Sequence, residues 1–385
     1  MKNKKLKILH WPTSFPDPDR NQPYNVIFVQ EHIKSTVELV NNRVLYVSVE
    51  NTQSKYKWHE RKNSVENRTP ITRFYFNKSL NLTFLNIYIR LVLMIYFLEL
   101  ILIKRFYPNI IHIHFHQSFF WAKLYSTIFR IPIVITEHWS AFLGWPNIGK
   151  VRYKKAAQAF DNAKRILPVS VKMQDGISAY TGAEIDDRYN VIHNAVDSTI
   201  FNYEMQFQRN KEYINLIFIG RNAEEKDLPT LMQSIALIKK SGLGFKLHLV
   251  GNGDYYNIED LITRYQLHKE IIIHGQQNKN AISKLLKQSD LLLLTSTIEN
   301  SPCVIGEAHC CGLPVVATDV GGIKELIMEG TVVPIKSPEL FAEKILEQLD
   351  KKIDREALAQ KAQERFSYDT IGKQIFDIYQ KVCAE

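Results

Sequence analysis

The chain has 385 residues, 45% hydrophobic and 23% charged, which is too long for one ordinary core and fits a soluble globular protein of two domains. Its four cysteines, Cys303, Cys310, Cys311 and Cys383, are too sparse for a disulfide scaffold and do not space like a zinc module, so a reducing compartment is expected. The net charge of +9 is uneven: residues 1–200 hold 27 Lys+Arg against 15 Asp+Glu, and residues 201–385 hold 22 against 25.

A basic first half can meet nucleic acid, anionic lipid or an acidic substrate, or can simply be solvated. No helix-turn-helix, finger or RNP-like pattern accompanies the charge, so nucleic acid is not expected as a partner. The opening MKNKKLKILHW moves straight into a strand without an apolar run or cleavage site, and no signal peptide is expected.

In chain order, Lys7–His10 reads as a strand, Pro12 to Pro23 as a loop, Ile27 to Val40 as an amphipathic helix and Val44–Val49 as a second strand. Glu50 to Thr69 is polar and poorly patterned, and reads as an exposed excursion. Leu82 to Ile103 is a long apolar helix interrupted by Arg90 and Glu99. Two charges make a spanning helix costly, roughly 2.5–3.5 kcal/mol each near the bilayer centre, so a helix against a parallel sheet is expected, with peripheral membrane contact as the alternative.

Ile110–Phe115 reads as a buried strand, Phe119–Phe129 as a helix and Ile131–Thr136 as a strand. Ala156–Asn162, Arg165–Val169 and Lys172–Tyr180 continue the alternation, and Tyr189–His193 closes the half. Phe201 to Glu212 lacks period and reads as a linker. The alternation then restarts: strand Ile214–Gly220, helix Leu228–Lys240, strand Lys246–Val250, helix Ile258–Tyr265, strand Ile271–His274, helix Ala281–Gln288. Val332–Ile335 is a late strand, and Pro338 onward is helical. Two doubly wound α/β domains in tandem follow, with ligands expected outside the carboxyl ends of the strands, in the cleft between two facing sheets.

The segment from Leu291 to Ile327 concentrates the chemistry. Four leucines, Leu291 to Leu294, read as a strand buried on both faces. A polar turn, Thr295 to Ser301, leads to Pro302, which suits a first helical position; Gly312 ends that helix, Leu313 to Ala317 form a strand, and Gly321-Gly322 turns into a short helix. A helix N-terminus carries orphan N–H groups and a partial positive charge that attract phosphate. Glu299 precedes this helix, and Glu307 is read as lying about two turns into it. Upstream, Gly220-Arg221 leaves a strand, and Lys226 stands at a helix start, where a cation opposes the dipole and so favours a ligand role. Arg221 and Lys226 could neutralise a diphosphate. Gly251-Asn252-Gly253 allows close backbone approach, and backbone groups at His274-Gly275 could read a nucleobase. His112, His114 and His116 alternate along one strand face; three imidazoles could ligate zinc, but a buried, hydrogen-bonded set is expected instead. Lys104, Arg105 and Phe119-Phe120-Trp121 could mark a membrane-facing surface, or the aromatics could be core.

The spacing Glu299-x7-Glu307, with Gly220-Arg221 and Lys226 before it and Gly312-Leu313-Pro314-Val315-Val316-Ala317-Thr318 and Gly321-Gly322 after it, resembles the retaining glycosyltransferases of family 4, with the GT-B fold. Ile110 to His114, Val134 to His138, Val169-Ser170 and Val191 to Asp197 match less distinctive segments of that family. The resemblance implies two Rossmann-like domains facing a central cleft: residues 1–205 for the acceptor, with the C-terminal helix from about 367 to 385 packed back on them, and residues 213–366 for the nucleotide-sugar donor. It implies that Arg221 and Lys226 bind the donor diphosphate, Glu307 the ribose and Glu299 the donor-sugar hydroxyls. Gly220, Gly251, His274 and Gly275, with backbone groups near Ser301, Pro302, Cys303 and Val304, complete the donor site. His138 would approach the anomeric carbon.

The resemblance implies no metal or other cofactor; the cations and the helix N-terminus would stabilise the leaving diphosphate in its place. The acceptor implied is a glycan or a lipid-linked glycan in surface polysaccharide synthesis. Peripheral contact with the inner face of the cell membrane through the basic first domain, and a cytoplasmic location, go with that reading.

The sequence departs from the family at three places. Tyr24 to Val29 contains no glycine where a glycine-rich turn is usual. Asp227 follows the lysine where glycine is common. Gly306 sits beside Glu307, and His309-Cys310-Cys311 replaces the usual small apolar run, changes expected to serve packing; Cys303, inside the donor loop, could be sensitive to alkylation. A nucleotide-sugar epimerase of the same fold and a noncatalytic GT-B partner subunit are the alternatives. A nicotinamide oxidoreductase is disfavoured, because no G-x-G-x-x-G follows a first strand.

Overall fold

The computed structural model describes residues 5–20, 26–50, 58–78, 82–144, 150–205, 213–253 and 256–385. The chain forms two compact units. The first is Met1–Val169 with Gln174–Ala195 and Ile371–Glu385, and the second is Ser170–Met173 with Val196–Thr370. The boundary lies at Ala195/Val196 rather than at 205, because Val196 and Phe201 are already part of the second unit's core. Residues 206–212 of the expected linker lie outside the described residues.

The first unit runs β1 (Lys7–Pro12), α1 (Ile27–Ser35), β2 (Asn41–Glu50), β3 (His59–Glu66), β4 (Thr69–Asn77), α2 (Leu82–Leu98), β5 (Ile110–His114), α3 (Phe119–Phe129), β6 (Ile133–Glu137), α4 (Lys150–Asp161) and β7 (Arg165–Pro168), with α5 (Val171–Thr181) following. Its sheet has the order β3-β4-β2-β1-β5-β6-β7. Every pairing is parallel except β3 with β4. The chain therefore winds outward from β1 in one direction and then from β5 in the other, and the order reverses between β1 and β5.

Three readings change here. Part of the polar stretch expected as a loop is β3, and the unforeseen β4 beside it is nearly all buried. The strand was hidden because HERKNSVE has no apolar alternation; it is an edge strand held by pairing. The turn joining the pair uses Asn67 and Arg68, both with left-handed φ (47° and 62°), as a two-residue hairpin of this type requires. Tyr189 makes only an isolated bridge to Ile166, so no strand closes the half. The apolar helix packs one face on the sheet and continues past α2 as a π-helical turn, Glu99–Ile103, but only 28% of its most apolar stretch is buried. It is long and apolar enough to cross a membrane by length and composition.

The second unit runs β8 (Ile214–Ile219), α6 (Leu228–Lys240), β9 (Phe245–Val250), α7 (Tyr256–Arg264), β10 (Ile271–Gly275), α8 (Lys279–Gln288), β11 (Leu291–Leu294), α9 (Cys303–Cys310), β12 (Val315–Thr318), α10 (Ile323–Leu326), β13 (Gly330–Val333), α11 (Pro338–Asp350) and α12 (Arg355–Phe366). Its sheet, β10-β9-β8-β11-β12-β13, is parallel throughout. Leu291 and Leu293 point into a core with α6 and α11, while Leu292 and Leu294 point into one with α9 and α12. A strand covered on both faces explains why its leucines run without interruption.

The last helix, α13 (Tyr368–Ala384), belongs to the first unit from Ile371 onward. There a Cβ on Gly372 would stand 2.0 Å from the Ser35 carbonyl oxygen, so glycine permits the approach to α1. Both units thus share one strand order, 3-2-1-4-5-6 in their own parallel strands, the order of dinucleotide-binding folds.

Candidate functional site

In the second unit the order reverses between β8 and β11, and the loops leaving these two strands meet. The Thr295 hydroxyl donates to the Lys226 carbonyl (2.9 Å) and the Thr297 N–H to the Glu225 carbonyl (2.8 Å). This brings Lys226 and Glu299 into a half-buried ion pair, and the Ser296 hydroxyl donates to the same Glu299 oxygen at 2.8 Å. Arg221 leaves β8 exposed and pairs with Glu225 at 2.9 Å. Lys226 ends a short 3-10 turn, and Asp227 then takes a left-handed conformation (φ 46°) while its side chain caps α6 by accepting from Thr230. The replacement of glycine at this position is thereby explained: the backbone needs positive φ, and Asp tolerates it and supplies the cap.

Three glycines let the strand ends converge. Gly220 N–H donates to Val250 O (2.9 Å), and Gly251 N–H to Gly275 O (3.0 Å). A Cβ on Gly251 would lie 1.8 Å from the Gly220 oxygen. The His274 carbonyl accepts from the Gln277 side chain, and the His274 ring bonds His248, which bonds Asn215. These backbone acceptors are therefore already engaged locally.

The helix after the loop starts at Cys303, with Pro302 as its uncapping N-terminal neighbour rather than its first residue. Glu307 is consequently the fifth helical residue, just over one turn in, not two. Ser301 is buried and Cys303, Val304 and Glu307 are half-buried. Gly306 lies where a Cβ would touch Val196 at 3.0 Å, so it serves close packing. His309 donates from Nδ1 to Leu313 O (3.0 Å) and accepts at Nε2 from Met328 N–H (3.2 Å); burial pushes its pKa down to about 4. Burial raises Cys310 and Cys311, the latter to about 12, and leaves inert packing thiols.

Asn300, which the sequence reading did not single out, holds this loop. Asn300 accepts from Gly322 N–H (2.9 Å) and from the hydroxyl of Ser170, itself part of the second unit (3.0 Å). A Cβ on Gly322 would meet the Asn300 carbonyl at 2.4 Å. Elsewhere in this unit a cavity of about 360 Å³ includes Lys287 and Arg355 in its wall. It lies toward the amino end of β11, where Arg355 donates to the Ser289 carbonyl, and Lys287 is occupied by Asn202 and Glu204.

In the first unit the order reverses between β1 and β5, and histidines gather there. His10 pairs in register with His112, and the rings of His10, His112, His114, His32 and His138 lie in contact with one another. The bonds of His10, His114 and His32 set their neutral tautomers. His114 Nε2–H donates to His10 Nδ1 (3.2 Å), and His10 Nε2–H to Asn42 (2.9 Å). His32 Nε2–H donates to His193 O (3.0 Å). His112 bonds Tyr379 (2.6 Å) and Thr136 (2.7 Å). Burial brings His10 and His32 to about 4 and lowers His112, His114 and His138 strongly.

The expected alternating trio is corrected: β5 ends at His114, and His116 turns away to Glu137 at 2.8 Å. The groups whose ring nitrogens lie within 4.8 Å of one another are His10-His112-His114 and His32-His114-His138, and these could hold a metal ion. The Nδ1 atoms of His32 and His114 lack partners.

His138 follows β6 and is buried against Phe28 (ring centroids 4.6 Å) and Phe115 (5.3 Å). Glu137, wholly buried, sets its position. Its carboxylate accepts from the backbone N–H of His138 (3.0 Å), Trp139 (2.9 Å) and His116 (3.0 Å), and from the His116 ring. Strained backbone accompanies the site: Phe115 has φ 70° and Val26, at the start of α1, has φ 44°. Val26 belongs to the segment lacking glycine, of which Tyr24 and Asn25 lie outside the described residues.

Two family models match side by side. "Glycosyltransferase Family 4" covers residues 64–199, and "Glycosyl transferases group 1" covers residues 200–365. Among curated proteins the chain is similar to TuaC of Bacillus subtilis (strain 168), a glycosyltransferase named for teichuronic acid biosynthesis. The identity is 27% over 300 residues, 72% of this chain and 71% of TuaC. Among solved structures it is similar to sucrose-phosphate synthase from Thermosynechococcus elongatus (TM-score 0.76, 17% identity, 98% of this chain and 99% of that one). Anabaena HepE in complex with UDP is also similar (TM-score 0.73, 20% identity, 98% and 100%). With both glycosyltransferase models in tandem and two parallel-sheet units of this order, the chain is a glycosyltransferase of the GT-B fold.

Proposed function

We propose that this enzyme moves a sugar from a nucleotide-diphosphate donor to a glycan or lipid-linked glycan in surface polysaccharide synthesis, with retention at the anomeric carbon. The observation that carries the reading is the Lys226–Glu299 pair at the strand-order reversal of the second unit, beside Arg221 and ahead of α9. Lys226, Arg221 and the N–H groups of α9 are suited to a diphosphate. Glu307 is assigned the ribose hydroxyls and Glu299 the sugar hydroxyls.

Glu299 is already engaged by Lys226 and Ser296, which supports a binding role rather than a nucleophilic one. In the proposed step the acceptor oxygen bonds to the anomeric carbon as the bond to the diphosphate oxygen breaks on the same face. The acceptor proton passes to the leaving phosphate. His138, kept neutral by burial, is assigned a hydrogen bond to the donor sugar. HepE binds UDP, and a uridine donor is the first to try.

No metal is assigned to the step: Lys226 and Arg221 supply the positive charge. The transfer rate should be unchanged by a chelator, and loss of transfer restored by zinc would move the chemistry to the histidine cluster. The four cysteines, which form no disulfide among the described residues, support a cytoplasmic site of action.

The test is product analysis with Glu307→Ala. The variant should keep its fold by circular dichroism and lose transfer, and normal turnover would sink the assignment. Incubation with donor alone separates the epimerase alternative, since an epimerase would release a changed nucleotide-sugar. Absence of any nucleotide-sugar binding by the wild type would instead favour a noncatalytic subunit.

A further inference from the structure

The helix running from α2 into the π-helical turn has two apolar faces, and only one is covered. Leu85, Ile89, Leu93, Tyr96, Phe97 and Leu100 are buried against the first unit. On the opposite side Phe84, Ile87, Leu91, Ile95, Leu98 and Leu102 are exposed, Ile95 by 68% and Leu102 by 64%. The steps of three and four residues put these six side chains in one stripe along the helix. From Phe84 to Leu102 the stripe runs about 27 Å at the rise of an α-helix. So large and continuous an apolar patch marks an interaction surface.

What borders the stripe says what covers it. At one end Trp58, half exposed, stacks edge-on against Phe84 (5.5 Å) and Tyr88 (5.3 Å), and Lys78 stands exposed just before the helix. At the other end lie exposed Arg105 and Tyr107, and the Tyr107 hydroxyl bonds the carbonyl of Phe129, next to exposed Arg130. Arg90 is exposed on the flank. The helix's single acid, Glu99, is neutralised by Arg61 (2.9 Å) and Lys104 (2.9 Å).

An apolar stripe with aromatic rings and cations at both ends matches a bilayer surface: the acyl boundary takes the stripe, the interface takes Trp and Tyr, and anionic headgroups take Lys and Arg. A second copy of the chain fits less well, because either direction of pairing sets a basic end on a basic end. Spanning would require the opposite face to leave its core.

We propose that this helix lies in the plane of an anionic membrane and holds the enzyme there by its outer stripe, without crossing. The inference does not rest on the sugar-transfer reading, and its test uses no activity.

Full-length protein is mixed with vesicles of phosphatidylcholine alone, or of equal parts phosphatidylglycerol and phosphatidylcholine, and separated by flotation at low and high salt. The wild type should float with the anionic vesicles and dissociate as salt rises. Leu91→Glu with Ile95→Glu should reduce binding at least about tenfold, and Arg90→Glu with Arg105→Glu should remove the preference for anionic lipid. Both pairs are exposed, so the melting temperature should hold. If the glutamate pair misfolds, the wild type decides: its tryptophan emission should shift blue with anionic vesicles, and Trp58→Phe should lose that shift. Failure of the wild type to float, or undiminished flotation of folded Leu91→Glu/Ile95→Glu, overturns the proposal. A wild-type dimer that this variant converts to monomer, with flotation unaltered, overturns it in favour of self-contact.

Discussion

The two units have the same parallel strand order and concentrate chemistry at the same topological place, yet they fill it oppositely. At the reversal between β1 and β5 the first unit buries five histidines in neutral tautomers with Phe28 and Phe115 around them. At the reversal between β8 and β11 the second unit places Lys226 against Glu299, with Arg221 beside them on the surface. The shared winding explains where each site is, because strand ends splay apart at a reversal and leave room. It does not explain what each site holds. Uncharged imidazole donors and acceptors suit sugar hydroxyls, whereas fixed cations suit a diphosphate.

This contrast can be broken most severely by acid. Burial holds His10 and His32 at about 4, against 6.5 when unfolded. Their contribution to stability is complete above about pH 6.5 and falls as pH drops toward 4, because the unfolded chain takes up the protons first. Each has lost on the order of 3 kcal/mol by the time the pH falls below 4. Denaturant unfolding followed at pH 7, 6 and 5 should show this loss, and replacing both residues by Asn should flatten the slope. An unchanged slope would mean that the cluster is not buried neutral.

A smaller but more local break is Glu137→Ala. Three backbone N–H groups and the His116 ring lose their acceptor, which should cost on the order of 3–5 kcal/mol. The expected readout is a lower melting temperature together with lost transfer. Smaller still, and opposite in sign, is Val26→Gly. A β-branched residue at φ 44° is strained by about 1–2 kcal/mol, partly offset by the entropy of glycine. A gain near 1 kcal/mol in thermal or denaturant unfolding is expected, and a loss would show that the strain is absent.

The second unit was the more legible half. Leu291 to Leu294 announce a strand covered on both faces, and the following turn, helix and glycines keep their order. The position of Glu307 shifted because Pro302 precedes the helix instead of starting it, which leaves Glu307 just over one turn in. The first unit concealed more. β3 carries no hydrophobic period and exists only through its pairing with β4. His10 and His32 gave no local signal, since the parallel register and the packing of α1 bring them to His112 and His138. The available hint was a histidine on each of the two strands that flank the reversal. Glu137 was visible only as part of a motif, because its four hydrogen bonds depend on the turn after β6. The exposed stripe of α2 could not be separated from its buried face by composition, as both faces are apolar.

The central claim is that the second unit, through Lys226, holds the donor's diphosphate. Calorimetric titration of UDP, with ADP and GDP as further probes, into the wild type and Lys226→Met tests it directly. The account predicts that the nucleoside diphosphate the wild type prefers binds Lys226→Met at least about tenfold more weakly, the loss of one charge-assisted contact, while circular dichroism shows an intact fold. Equal affinity in the folded variant would contradict it.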